Sequence, residues 1–189
     1  MFKKFNHWLG RTANELAAHP IDFKSRPLSA GSRTVLLQRA NINDVEAMVE
    51  IERRVYNGYA PWSALAFTSE LGRRHRLYLV ATDDNYIVGF VGCSFDWLRN
   101  EAHITNIAVT PGYQRLGIGS ALIKTLQEVA MNNGMLTMSL EVRVENTTAR
   151  RLYRQLGFVA STIKKAYYED DHGDAMEMVA PLGKEESND

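Results

Sequence analysis

A glycine-rich stretch near the middle of the sequence carries residue types that bind phosphate. Gln114, Arg115, Gly117 and Gly119 follow a short apolar run and precede a stretch with helical periodicity. Glycines let the backbone approach a ligand closely, and the first amide groups of a helix lack partners within it. With the helix dipole and the arginine charge added, this stretch predicts a site for a phosphate or pyrophosphate group.

Three kinds of phosphate-binding loop compete for this pattern. A dinucleotide fingerprint, G-x-G-x-x-G, needs a glycine where Leu122 stands, and a nucleotide P-loop needs a lysine where Ile118 stands. The pattern that remains is Q-x-x-G-x-G, formed by Gln114, Gly117 and Gly119. A plain strand-to-helix turn, whose glycines serve backbone geometry alone, stays open as the alternative.

A second motif follows the glycine loop and favours a phosphate-binding loop over a plain strand-to-helix turn. It consists of Leu140-Glu141-Val142-Arg143, Asn146, Ala149, Leu152-Tyr153 and Leu156-Gly157-Phe158. Together with Q-x-x-G-x-G, this order resembles the GCN5-related N-acetyltransferases (GNATs), which bind coenzyme A. It is most similar to their bacterial branch that acetylates the N-terminal alanine of a ribosomal protein, and Pro61-Trp62-Ser63 and Tyr167-Tyr168 fit that branch. The resemblance spans residues 34–180.

The resemblance implies acetyl-CoA as a co-substrate, and the scattered positions of the histidines lead us to expect no metal. It assigns cofactor binding to the strand and loop residues Ile107, Ala108, Val109, Gln114, Arg115, Leu116, Gly117, Ile118, Gly119 and Ser120, and to Asn146. It also implies a β-bulge in the strand of Ile107, which would open a cleft for the pantetheine arm. A backbone amide near Val109 would then bind the thioester oxygen.

Acetyl transfer to an amine needs a neutral nucleophile and a proton for the departing thiolate. The resemblance implies that Glu141 is the base, directly or through a water molecule, and that Tyr153 is the acid. From the residues alone, Glu141 can equally pair with Arg143, and Tyr153 can be a core residue of its helix. Asn146 is placed to cap the helix that begins at Thr147 as well as to contact the cofactor.

The resemblance further implies that the acceptor is the N-terminal α-amine of a protein, namely an alanine-starting small-subunit ribosomal protein. One alternative is a GNAT that acetylates lysine side chains or a small amine. Another is a non-catalytic module that binds acetyl-CoA or the ribosome. The acidic run Glu169-Asp170-Asp171 is hypothesised to attract a cationic peptide N-terminus.

The periodicity of the chain predicts the elements that position these residues. Their order is β-α-α-β-β-β-α-β-α-β-β, which favours an α/β fold with one twisted, mixed sheet of about six to seven strands and helices on both faces. Asn43 with Glu46 is expected to cap the first helix, and Ser63 the second. The long helix is expected to run from about Leu116 to Asn132.

The composition of the chain excludes or disfavours several other classes of protein. The chain has 189 residues with 22 basic and 22 acidic side chains, and a zero net charge argues against direct nucleic-acid binding. Its single cysteine, Cys93, excludes an internal disulfide, and the five histidines lack metal-ligand spacing. No membrane span or secretory signal is recognisable, so we expect a cytoplasmic protein without a membrane partner. The oligomeric state is not readable from the sequence.

Three regions are expected along the chain. Residues 1–33 are predicted to be an amphipathic segment followed by a linker, residues 34–182 the N-acetyltransferase domain, and residues 183–189 a polar tail. The amphipathic segment is expected to pack on the domain or on a partner; two lysines make it a weak anchor for a membrane surface.

Overall fold

The computed structural model describes residues 21–31, 33–168 and 170–183. Its strands are β1 (Arg26–Ala30), β2 (Arg33–Arg39), β3 (Arg76–Asp83), β4 (Tyr86–Asp96), β5 (Glu101–Val109), β6 (Thr137–Arg143), β7 (Val159–Lys164) and β8 (Ala175–Pro181). Its α-helices are α1 (Val45–Val55), α2 (Ala64–Leu71), α3 (Ile118–Asn132) and α4 (Thr147–Gln155). The predicted amphipathic segment before residue 21 and the polar tail after residue 183 lie outside the described residues.

The described strands form one sheet in the order β1-β2-β3-β4-β5-β6-β8-β7. Every neighbouring pair is antiparallel except β5 and β6, which are parallel. The mixed α/β class is therefore confirmed. The sheet has eight strands because β1 adds to the expected set; the prediction of a linker is wrong at Arg26–Ala30, where the backbone pairs with Arg33–Leu37 and Ala30 is buried.

The helices cover both faces of the sheet, as predicted. On β3, Leu77 and Leu79 join the core layer that contains α3, whereas Tyr78 and Val80 join the layer beneath α1 and α2. Side chains alternate between the two faces of a strand, so one strand contributes to both layers. A run of residues buried on both faces reads as continuously apolar, which fits the sequence of β3 and β4.

Short polar residues set where the helices begin. Ser63 accepts a hydrogen bond from the Ala66 amide at 3.2 Å, and this confirms the predicted cap of α2. The expected cap at Asn43 is wrong. Asn41 and Asp44 form a reciprocal capping box around a 3₁₀ turn (Ile42–Asp44), and α1 begins directly after it.

The sheet opens between β5 and β6. Their parallel pairing runs only from Glu101 with Thr137 to His103 with Ser139. On the other side of β5 the register with β4 shifts, so that Thr105 is an extra residue between the pairs of Ile104 and Asn106. A bulge of this kind bends the strand that carries it. The second half of β5 therefore separates from β6, at the strand where the family resemblance implied a bulge.

Candidate active site

The glycine loop lies where β5 ends and α3 begins. The Gln114 side-chain amide donates a hydrogen bond to the Val109 carbonyl at 2.9 Å, which closes the turn between them. Arg115 and Gly117 have positive φ angles of 64° and 87°. Alternating left-handed residues turn successive backbone amides towards one side, and a concavity of this kind binds anions. The loop thus has a backbone form that can bind an anion.

Gly119 faces the space between β5 and α4. A Cβ added to Gly119 would point between Val109 of β5 and Leu152 of α4, at ordinary contact distances of 3.8 and 4.0 Å. Arg115 is exposed and forms no ion pair with the described residues, so its charge is available to a phosphate.

The other predicted cofactor residues differ in their burial and in the face of the sheet on which they lie. The side chains of Ile107 and Val109 are partly buried on the α3 side of the sheet, whereas Ala108 is buried on the α1 side. The Ile118 side chain is in the core, so this residue can offer a ligand only its backbone. Leu116 and Ser120 are half-buried at the loop and the first turn of α3.

Asn146 is placed at the start of α4. Its side-chain oxygen accepts a hydrogen bond from the Ala149 amide at 3.0 Å, and this confirms its predicted role as a helix cap. Its contact with the cofactor remains a prediction.

Glu141 lies on β6, two residues past the last pair that β6 forms with β5. Its carboxylate accepts a hydrogen bond from Lys164 Nζ at 2.6 Å, and its other oxygen lies 3.2 Å from His103 Nε2. Burial raises the pKa of Glu141, but His103 and Lys164 together outweigh burial and lower it to about 2. Glu141 is therefore ionised at neutral pH, and its partners are Lys164 and His103 rather than Arg143.

A chain of buried polar groups extends from Glu141 across the paired part of β5 and β6. His103 Nδ1 lies 2.9 Å from Ser139 Oγ, and the Ser139 hydroxyl donates to Glu101. His103 is thus held between Ser139 and Glu141, a position that its place in the sequence did not indicate.

Tyr153 is a nearly buried residue of α4. Its ring packs on Phe158 with centroids 5.9 Å apart, and its side chain is 8% exposed. Burial raises its pKa above the ordinary value for tyrosine, and the neighbouring Tyr56 raises it further. The phenol is therefore neutral at physiological pH. Its hydroxyl has no hydrogen-bond partner among the described residues, so it remains available to donate to a ligand.

The loop between β7 and β8 packs on Arg143 of β6. Arg143 pairs with Asp170 at 2.7 Å and with Asp171 at 2.8 Å, and its guanidinium stacks over the Tyr168 ring at 4.0 Å. The Tyr167 ring meets the Tyr168 ring edge-on at 5.2 Å. Burial raises the pKa of Tyr167, and the nearby negative charge of Glu141 raises it further, which places this phenol beside the carboxylate.

Sequence reasoning did not single out Glu52 on α1. It is 2% exposed, and its carboxylate accepts a hydrogen bond from the Trp62 amide at 2.7 Å. Burial raises its pKa to about 7, although hydrogen bonds from Trp62 and Asn106 oppose the increase. Its spacing in the sequence could have revealed it, because Glu52 continues the apolar stripe of Val45, Met48 and Val49. A carboxylate buried on such a stripe needs a hydrogen-bond partner.

Within residues 21–31, 33–168 and 170–183, no three histidine, cysteine or acidic side chains are grouped so as to hold a metal ion. None of the helices that the structure describes is long and apolar enough to cross a membrane.

Comparisons with known proteins identify the family of this chain. Residues 45–158 match the acetyltransferase (GNAT) family. The chain is 37% identical to the [ribosomal protein bS18]-alanine N-acetyltransferase of Escherichia coli strain K12 over 141 residues, which is 74% of this chain and 92% of the relative. The crystal structure of the ribosomal-protein-S18-alanine N-acetyltransferase from Escherichia coli superposes with a TM-score of 0.70 at 34% identity, covering 80% of this chain and 96% of that one.

A more distant structure shows the same fold. The crystal structure named as a putative streptothricin acetyltransferase from Bacillus anthracis str. Ames, in complex with acetyl coenzyme A, superposes with a TM-score of 0.66 at 20% identity, covering 80% of this chain and 100% of that one. The family match spans the glycine loop, Glu141 and Tyr153. The chain belongs to the GNAT family of acetyltransferases.

Proposed function

We propose that this acetyltransferase moves an acetyl group from acetyl-CoA to the N-terminal α-amine of a protein, and that the acceptor is an alanine-starting small-subunit ribosomal protein. The 37% identity to the bS18-alanine N-acetyltransferase supports this assignment. The observation that carries it is the position of Glu141 in the open part of the gap between β5 and β6, with the glycine loop at the end of β5.

The surroundings of Glu141 suit an ammonium group. Glu141 and Glu177 converge on one such group, Lys164 Nζ, at 2.6 and 2.8 Å, and the Tyr167 ring lies 5.9 Å from it. The ammonium of an acceptor N-terminus has the same charge and the same three donors. A peptide N-terminus would bind between these two carboxylates only by displacing Lys164 from them.

The chemistry that follows needs only a modest base. An α-amine has a pKa of about 7.7–8.0, against about 10.4 for lysine, so far more of it is neutral at pH 7. The neutral nitrogen attacks the thioester carbonyl carbon, the carbon–sulfur bond breaks, and the nitrogen loses its extra proton to Glu141, directly or through water. Because the pKa of Glu141 is about 2, this carboxylate passes the proton on to solvent rather than keeping it.

Tyr153 provides the proton that the other product needs. Since its pKa is raised, the phenol is a neutral donor that can hydrogen-bond the departing sulfur and protonate the thiolate as it leaves. Backbone groups of Ile107, Ala108 and Val109, along the open edge of β5, and the side chain of Asn146 would position the cofactor.

The test is a turnover assay with acetyl-CoA, followed by mass spectrometry of the products. Three acceptors are offered: a peptide that begins Ala-Arg with a free α-amine, the same peptide blocked at its N-terminus but carrying a lysine, and a polyamine. We expect acetylation of the free α-amine alone. Acetylation of the lysine or the polyamine instead would contradict the proposed acceptor, and no turnover with tight acetyl-CoA binding would contradict the catalytic assignment.

A further inference from the structure

The hairpin formed by β1 and β2 lies against the glycine loop. Residues 31 and 32 join its paired strands, and Gly31 has a φ of 61°. A Cβ added to Gly31 would lie 3.3 Å from the carbonyl oxygen of Leu116, so the hairpin and the loop approach each other closely there. The family match begins at residue 45, and both strands of the hairpin therefore precede the matched region.

Arg33, the first residue of β2, contacts the turn that precedes the loop. This 3₁₀ turn (Pro111–Tyr113) is followed directly by Gln114, where the glycine loop begins. The central carbon of the Arg33 guanidinium lies 5.0 Å from the centroid of the Tyr113 ring. The face of an aromatic ring attracts a cation. Arg33 therefore holds the chain one residue before the loop.

Asp83, the last residue of β3, joins Arg33 and Tyr113. Its carboxylate accepts a hydrogen bond from Arg33 Nη1 at 2.7 Å, and its side chain is only 15% exposed. A hydrogen bond with the same carboxylate raises the pKa of Tyr113, which places the phenol beside Asp83. Tyr113 is also partly buried against the main core cluster. The three side chains thus tie the turn to the ends of β2 and β3.

The loop has a backbone conformation that needs support of this kind. Arg115 has a positive φ of 64°, which is strained for a residue with a side chain. Such a conformation persists only where the surrounding structure imposes it. Within the loop, Gln114 contributes through its bond to the Val109 carbonyl. The hairpin adds contacts on both sides of Arg115, at Tyr113 and at Leu116.

We propose that Arg33 is a positioning residue for the acetyltransferase reaction: held by Asp83, it fixes Tyr113 and thereby the glycine-loop amides that bind the coenzyme. The inference rests on the proposed function, because it takes acetyl-CoA as the co-substrate. A loop that already has its binding conformation loses less freedom when the ligand binds, and it binds more tightly. Glu141 and Tyr153 lie on β6 and α4, which carry no member of this cluster. Loss of Arg33 should therefore weaken coenzyme binding and spare the chemical step.

The first experiment compares Arg33→Gln with the wild-type protein, using the full chain. We expect the Kd of acetyl-CoA, measured by titration calorimetry, to rise about two- to fivefold, while kcat and the peptide KM change less than twofold. Arg54→Gln is the matched control. Arg54 is similarly exposed and also loses one ion pair, with Glu50 at 3.0 Å, but it lies on α1, so the Kd should stay unchanged. Arg33→Lys keeps a cation for both partners and should restore most of the affinity.

A double-mutant cycle tests whether Arg33 acts through Tyr113. Tyr113→Leu removes the ring and the hydroxyl and keeps apolar bulk against the core. In this background Arg33→Gln should weaken acetyl-CoA binding no further, because the two residues belong to one network. An equal loss in both backgrounds would show that Arg33 acts on the coenzyme directly, and it overturns the proposal. An unchanged Kd in Arg33→Gln overturns it as well.

Asp83→Asn provides a second route if Arg33→Gln does not fold, which thermal unfolding checks. The variant loses the ion pair with Arg33 and retains the shape of the side chain, so the Kd of acetyl-CoA should again rise. An unchanged Kd in folded Asp83→Asn overturns the positioning role. In each of these cases the proposed function stands as long as the wild-type protein acetylates a free α-amine. Failure of the wild-type protein to bind acetyl-CoA overturns both proposals.

Discussion

His103 on β5 and Glu141 on β6 face each other at the place where the two strands separate, with Nε2 of the histidine 3.2 Å from the carboxylate. His103 is in the last residue pair of the parallel ladder, whereas Glu141 lies beyond it. The paired half of the sheet thus holds the histidine in place, and the open half leaves room for a substrate beside the carboxylate. The orientation of Glu141 depends on the paired strands, not on a flexible loop.

We expect Glu141→Gln to lower kcat/KM for the Ala-Arg peptide by about 10²-fold, since an amide cannot accept the amine proton. Glu177→Gln is the matched control. Glu177 shares the Lys164 ammonium with Glu141, but it lies on β8, farther from β5. Its loss should cost less than about tenfold. Steady-state kinetics on both variants test the difference, and equal losses would contradict a special role for Glu141.

The pH dependence of the wild-type enzyme provides a separate test of the same site. The pKa of Glu141 is about 2, so the carboxylate is ionised throughout the range from pH 5 to pH 9. The rise of kcat/KM with pH should therefore follow deprotonation of the acceptor α-amine, near pH 7.7–8.0. A profile measured with a peptide whose α-amine has a lower pKa should shift by the same amount. If the pH at which kcat/KM rises is the same for both peptides, the prediction is wrong.

Tyr153→Phe should lower kcat by about 10²-fold or more and leave the Kd of acetyl-CoA nearly unchanged. The variant retains the ring that packs on Phe158 and loses only the hydroxyl, so the fold should persist. Release of free thiol measures kcat, and thermal unfolding verifies the fold. Activity that survives in a folded variant would show that Tyr153 is not the acid.

The sequence predicted most of the elements, because their local signals agree with the tertiary structure. Ser63 and Asn146 cap the helices that follow them, and the apolar runs of β3 and β4 lie between two helical layers. The sequence did not predict β1, because Arg26–Ala30 is short and contains a proline. This segment is a strand because it pairs with β2. An edge strand of this kind carries little signal of its own.

The candidate site was predictable in its residue types and not in its contacts. Gln114, Gly117 and Glu141 could be named from their motifs, since spacing along the chain identifies them. The approach of Lys164 and His103 to Glu141 depends on how β6 pairs with β8 and β5, which is a long-range property that no local pattern reports. Glu52 was detectable as a carboxylate in an apolar stripe, but its partner, the Trp62 amide, was not.

Glu52 should make stability depend on pH. Its pKa in the folded protein, about 7, lies above the ordinary 4.5, so the stability linked to its protonation is complete below about pH 4.5 and is lost as pH rises through 7. Glu52→Gln keeps an oxygen for the Trp62 amide and cannot ionise. The variant should gain on the order of 2 to 3 kcal/mol of unfolding free energy relative to wild type between pH 5 and pH 8. Urea unfolding at both pH values measures this gain, and a pH-independent difference would contradict it.

The acidic loop between β7 and β8 should steer the acceptor through its balance of charge. Arg143 is held between Asp170 and Asp171, so two carboxylates face one guanidinium and leave one net negative charge near the cleft. Replacing both aspartates by asparagine frees Arg143 to repel a cationic N-terminus, and the peptide KM should rise several-fold at low salt. Glu169, the third member of the acidic run, lies outside the described residues.

A variant with the opposite change of charge, Arg143→Gln, distinguishes an electrostatic effect on the peptide from a structural effect on the loop. Arg143→Gln leaves both aspartates unpaired and makes the same surface more negative, so the peptide KM should fall, although both variants lose the same two ion pairs. Both changes should shrink at about 0.5 M salt, where charges farther apart than a few ångströms are screened. If KM moves in the same direction in both variants, the loop acts through its structure and the proposed attraction of the peptide is wrong.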